Sequence, residues 1–287
     1  MPIDPENVFE KISAEYYSLT ASEKKVADFV LSSQNGTQFL SISELAGFCG
    51  VAEATVSRFC RRLGYKGYNT FKLAVANAMV QHKPRTNPLS GEISGEDSLE
   101  DVSKKLYSAE LEAINQTMEL LDLTAVREAA DLLHKAKRVI CMGQGGSMIM
   151  ACEAQHLFST VSNKFSAVGD SHLQAMAASV MEPEDVLLYF SYSGSTKSMV
   201  DTLNLALQQK GRTILVTRFL NSPGADYADI ILQCGSHENP LQTGSVAARI
   251  AQLYLLDVLF SEYSRRDLDG CRAFRKNIAD ALSEKHL

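Results

Sequence analysis

The sequence predicts an α/β protein in two parts: an all-helical N-terminal part, then a five-stranded parallel sheet with helices on both faces. Three observations carry this. The first 81 residues show apolar spacing at helical period only. Residues 82–98, HKPRTNPLSGEISGEDS, lose periodicity and gather Pro, Gly, Ser and acids, as a linker does. Beyond residue 137, short apolar runs alternate with helical segments, the pattern of a parallel sheet wrapped by helices.

In chain order, Thr20-Ala21-Ser22-Glu23 has the capping-box form ahead of Val26, Phe29 and Val30, so the first helix is expected near Ser22 and to run to about Ser32. Ser41-Ile42-Ser43-Glu44 repeats the device before Leu45, Ala46 and Phe48. A tight turn at Cys49-Gly50-Val51 and the segment VSRFCRRLGYKG follow. At 100° per residue, Val56, Phe59, Cys60 and Leu63 share one face of that segment; Thr55, Ser57, Arg58, Arg61 and Arg62 share the other. Two short helices around a tight turn fit a helix-turn-helix, whose second helix enters the major groove of DNA. Gly64 is placed to end that helix in a left-handed conformation, and a further helix is expected over Asn69 to Gln81.

The chain has 287 residues, 45% hydrophobic and 22% charged, with net charge −6, which argues against a protein basic throughout. Between Gly50 and Arg85, however, the basic residues are Arg58, Arg61, Arg62, Lys66, Lys72, Lys83 and Arg85, and the only acid is Glu53. Outward arginines on a helix are ordinarily just solvated. Here the track continues through Lys66 and Lys72, and the hydroxyls of Ser43, Thr55 and Ser57 stand where they can meet base edges or phosphates of a double-stranded operator.

The six cysteines are scattered singly, with no CxxC pair, so neither a disulfide framework nor a metal site is indicated. MPIDPENVFEK lacks the features of a signal peptide, and no apolar run approaches the roughly 20 residues of a membrane span, so a cytoplasmic protein without membrane contact is expected.

In the second part, helices are expected from Leu99 to about Ala136 with a break near Asp122. Strands are expected at Arg138 to Met142, Lys164 to Val168, Val186 to Phe190, Arg212 to Thr217 and Asp229 to Gln233. Two loops at strand ends carry the chemistry. Gly143-Gln144-Gly145-Gly146-Ser147 follows the first strand, and Ser191-Tyr192-Ser193-Gly194-Ser195-Thr196 follows the third; each opens a helix. Small residues there leave backbone N–H groups open at a helix N-terminus, where the dipole favours an anion, and the hydroxyls add donors for phosphate oxygens. Neighbouring fingerprints fail. Met148 replaces the third glycine of GxGxxG, SGSTK is wrongly spaced for a phosphate-binding P-loop, and Ile149 replaces the last glycine of GxSxG. No cofactor is implied.

Together, ATVSRFCRRLGYKGYNTFK, GQGGS, SYSGST and the segment GSVAARIAQLYLLDVLF make the chain resemble the RpiR-type transcription regulators over nearly its whole length. These join an N-terminal helix-turn-helix domain to a C-terminal sugar isomerase (SIS) domain, a flavodoxin-like sandwich. The resemblance implies domains at 1–81 and 99–287, DNA binding modulated by a phosphorylated sugar or sugar acid, and no enzymatic turnover. It places phosphate contacts on Ser147, Ser191, Ser193 and Thr196, with Gly145, Gly194 and Ser195 in the same loops. A palindromic operator would require a homodimer or homotetramer. Position 52, commonly Ser or Thr in such helices, is Ala52, so a capping hydroxyl is lost and Glu53 or Ser57 is left to compensate. The alternative is a sugar-phosphate isomerase with an accessory DNA-binding domain, in which Glu238, beside His237, would move the proton and His172 would lie near the strand ends. As an effector residue Glu238 would instead meet sugar hydroxyls.

Overall fold

The structure is a computed structural model that describes residues 7–33, 37, 40–81, 93–220, 222–235 and 245–283. These form two compact units, one ending at Lys105 and one beginning at Leu106.

The first unit is all helical: α1 (Val8–Glu15), α2 (Ala21–Ser32), α3 (Ile42–Cys49), α4 (Glu53–Arg62) and α5 (Tyr68–Gln81). Both capping boxes form. Thr20 caps α2 with Glu23 reaching back, and Ser41 caps α3 with Glu44 reaching back. Each satisfies two backbone N–H groups that a helix start otherwise leaves without partners. Helix α1 was not expected from the sequence. The Asn7 side chain caps it by accepting from Phe9 N–H, and it buries Val8, Phe9 and Ile12. Its residues join Val26, Leu45, Val56, Phe59, Leu63 and Phe71 in one core. Between α3 and α4, Gly50 adopts φ +61°, a left-handed turn at which a side chain would be strained. Gly64 ends α4 at φ +83°, as expected.

Helix α6 (Leu99–Leu120) contains the junction between the units, and α7 (Leu123–Lys135) restarts after the expected break, capped by Asp122. The second unit then alternates β1 (Arg138–Gly143), α8 (Gly146–Ser159), β2 (Phe165–Val168), α9 (Ser171–Ser179), β3 (Asp185–Phe190), α10 (Lys197–Gln208), β4 (Arg212–Thr217) and β5 (Ile230–Gln233). Helices α11 (Val246–Ser264) and α12 (Leu268–Ser283) close it. All five strands are parallel, in the order β2-β1-β3-β4-β5. Strand ends agree with expectation to within one residue.

Side-chain alternation builds two cores, one on each face of the sheet. Val139, Cys141, Leu188, Phe190, Ile214 and Val216 pack with residues of α7, α8 and α11. Ile140, Met142, Leu187, Tyr189 and Leu215 pack with residues of α9 and α10. A strand covered on both faces can carry almost no polar residue, which explains the unbroken apolar runs of β1, β3 and β4. Cys141, Cys234 and Cys271 are buried against the first of these faces, Cys49 and Cys60 lie in the helical core of the first unit, and Cys152 is exposed. Among the described residues, no helix is long and apolar enough to cross a membrane.

Candidate DNA-reading helix and effector crevice

Helix α4 divides as its sequence requires, with one exception. Val56, Phe59, Cys60 and Leu63 are buried, and Arg58, Arg61, Arg62 and Lys66 are exposed. Thr55, expected on the cationic face, is only 6% exposed, and its hydroxyl accepts from the Arg58 guanidinium at 3.2 Å. It lies one turn before Phe59 on the flank of the apolar stripe, and packing draws it in. Ser57 is half-buried, Ser43 on α3 is exposed and Lys72 on α5 is half-buried.

The start of α4 has no side-chain cap at Ala52. Glu53 is tied across the turn instead, accepting from Ser43 Oγ. At the other end, Arg62 Nη1 donates to Glu23 Oε2 at 3.0 Å. Burial of Cys49 and Cys60 pushes their thiols up to about 11 and about 12, so both stay protonated inside this core.

In the second unit, β1 and β3 are neighbours although β2 separates them in sequence, and Gly143 pairs with Phe190 in the register. Chain direction reverses its march across the sheet here. At such a switch point the loops leaving two adjacent strands diverge to opposite faces and open a crevice. Loop 143–147 leads into α8 on one face and loop 191–196 into α10 on the other, so two helix N-termini flank the crevice. The two glycine- and serine-rich stretches therefore meet.

The crevice floor is knitted chiefly by residues outside the two loop motifs. Gln174, fully buried on α9, donates through Nε2 to Gly143 O (2.9 Å) and Val168 O (2.8 Å), joining the ends of β1 and β2. Its Oε1 accepts from Tyr189 Oη at 3.3 Å, and burial pushes that phenol up to about 12, so it remains a donor. Gln144 Nε2 donates to Ser198 Oγ, joining the first loop to the first turn of α10.

The second loop is clamped by the turn after β4. Arg218 N–H donates to Tyr192 O, Thr217 Oγ1 donates to Tyr192 O, and Gly224 N–H donates to Gly194 O at 2.8 Å. Gly194 has φ +59°, and a Cβ there would stand 2.0 Å from Ser222 Oγ. Ser191, 6% exposed, accepts from Gly194 N–H, while Ser195 N–H donates to Ser193 Oγ. Thr196 stands exposed at the N-cap of α10 without a side-chain cap bond, Ser147 is half-buried in the first turn of α8, and Gly145 is exposed with φ +55°. His172 is exposed at the start of α9. Glu238 and His237 lie outside the described residues.

Sequence reasoning missed Gln174, Thr217 and Ser222, and placed Gln144 in the first loop without its bond to Ser198. A glutamine on an otherwise apolar helix face is the one trace of this floor in the letters.

A helix-turn-helix domain joined in one chain to a doubly wound sheet with a crevice at its switch point defines a class, the one-component transcriptional regulators. Residues 6–82 match the helix-turn-helix domain of the rpiR family, and residues 132–262 match the SIS domain. An HTH-type transcriptional regulator of Haemophilus influenzae is 34% identical over 98% of both chains. The regulator HexR of Pseudomonas aeruginosa is 32% identical over 92% of this chain and 91% of its own. The chain belongs to the rpiR family of HTH-type transcriptional regulators. Among solved structures, the NanR protein of Vibrio vulnificus, complexed with ManNAc-6P, superposes with TM-score 0.64 at 25% identity, over 98% of this chain and 99% of that one. The sugar isomerase domain of an RpiR transcription factor from Sphaerobacter thermophilus, 18% identical with TM-score 0.58, shares the fold over 62% of this chain and 98% of its own.

Proposed function

We propose that this protein is a cytoplasmic regulator whose affinity for a double-stranded DNA operator is set by a phosphorylated sugar, or sugar-acid phosphate, held in the β1/β3 crevice. The observation that carries the reading is the meeting of a glycine-rich loop and a hydroxyl-rich loop between two helix N-termini. Backbone N–H groups and hydroxyls directed at one point bind a phosphate without a charged side chain. Ser193, Ser195 and Thr196 take the phosphate, supported by the backbone of Gly194 and by Ser191, which shapes the loop from beneath. Ser147 and Gly145 close the crevice from the β1 side. NanR, similar over its full length, is bound to a sugar phosphate, which supports this choice of ligand.

On the DNA side, Arg58, Arg61, Lys66 and Lys72 neutralise phosphates, and Ser57 and Arg58 lie where α4 meets base edges. A homodimer or homotetramer would present paired α4 helices to half-sites about 34 Å, or a multiple of that, apart.

The test couples both halves. S193A combined with T196V should abolish the rise in melting temperature that a cognate sugar phosphate causes, and its effect on DNA binding, while leaving DNA affinity in its absence unchanged. If no phosphosugar in a broad screen shifts the wild-type melting temperature, the effector half of the reading fails. Isomeric product formed at a rate dependent on Glu238 would make the protein an isomerase instead.

A further inference from the structure

The recognition helix is held at both ends by side chains that the basic track alone would assign to DNA. At its C-terminal end, the Glu23 carboxylate is only 6% exposed, and one oxygen, Oε2, accepts from Thr20 N–H (2.9 Å), Thr20 Oγ1 (2.8 Å) and Arg62 Nη1 (3.0 Å). Glu23 is the third residue of α2 and Arg62 the last of α4, so the pair joins the positive end of one helix dipole to the negative end of another, each with a charge of favourable sign. At its N-terminal end, exposed Ser43 donates to Glu53 in the first turn of α4. Arg58 differs: its guanidinium donates to the neutral Thr55 hydroxyl, three residues away on the same helix.

Were Arg62 to turn to a DNA phosphate, the Glu23 carboxylate would stay buried with its cationic partner gone, which is strongly unfavourable. Resting on the DNA-binding reading above, we propose that Arg62 and Glu23 are positioning residues. Their ion pair sets the tilt of α4 in the major groove, with Ser43 and Glu53 as the weaker counterpart at the other end. Arg62 thereby belongs to the scaffold, and phosphate neutralisation falls to Arg58, Arg61, Lys66 and Lys72.

Tilt is read as specificity. A misaligned helix keeps its phosphate attraction and loses its register with base edges. The experiment uses the full chain and a labelled duplex selected by the wild-type protein from a random-sequence pool, with a scrambled duplex as the non-specific probe, both titrated across salt. R62M and E23Q should each lower affinity for the selected duplex by about tenfold, the scale of one poorly met base pair. Affinity for the scrambled duplex under E23Q, and the salt slope under both, should stay near wild type. The double variant should be little worse than either single one, as for two residues of one pair.

The proposal is overturned if R62M lowers the salt slope by about one unit while E23Q binds as wild type, since that marks Arg62 as a phosphate contact. It is also overturned if both variants lose only melting temperature and active fraction, with specificity of the folded fraction intact. Failure of the DNA-binding reading itself looks different: the wild-type protein would then enrich no duplex from the pool.

Discussion

Gly194 shows how one backbone angle can decide a binding loop. Its φ of +59° and the Ser222 hydroxyl packed against its Cα exclude any side chain. G194A should cost about 1–3 kcal/mol in chemical denaturation, from left-handed strain and from displacement of Ser222, and should remove the sugar-phosphate response with it. A variant as stable and responsive as wild type would mean that the loop has room to move. Asp185, at the foot of β3, is a second case. Burial alone would raise its carboxyl, but the two-pronged Arg138 guanidinium and the Glu182 backbone N–H outweigh this and hold it below the usual carboxylate range. A depressed folded value contributes stability that is present above the unfolded value near pH 4 and lost as pH falls through the folded one. D185N should therefore lower the urea midpoint at neutral pH, and the gap to wild type should narrow on acidification below about pH 4. A gap constant down to pH 3 would count against the ion pair as its origin.

Helix α4 is the one helix of the HTH pair that starts without a side-chain cap, whereas α2 and α3 each have a complete capping box. Ala52 already holds the extended φ/ψ of an N-cap residue, at −76° and 150°. A52S should therefore stabilise the first unit by about 1 kcal/mol, since the backbone is ready for the hydroxyl. Thermal unfolding followed by circular dichroism reads this directly, and an unchanged midpoint would show that water already serves these backbone N–H groups as well as a hydroxyl would.

Across the molecule, charge is the property that joins sequence to use. On the proposed reading, a chain of net charge −6 approaches DNA through a local cationic face on its first unit. R61A should reduce the magnitude of the slope of log affinity against log salt by about one, with losses similar on selected and scrambled duplexes. Equal slopes for wild type and variant would remove α4 as the contacting face.

What could be seen in the letters was whatever depends on near neighbours along the chain. Capping boxes at Thr20 and Ser41 are three-residue patterns, the two faces of α4 follow from helical period, and the apolar runs of β1, β3 and β4 follow from burial on both sides. The loops at 143–147 and 191–196 stood out because glycine and hydroxyl residues clustered directly after such runs. What could not be seen required segments distant in sequence to be brought together. The order β2-β1-β3-β4-β5 sets the two loops side by side, yet several orders would bury the same strands equally well. Gln174 reaches across to Gly143, Thr55 is drawn into a core that period alone assigned it out of, and Arg62 finds Glu23 across 39 residues. Hydrophobic patterning says which faces must be hidden; only the packed chain chooses what hides them and which polar groups are carried inside as a result.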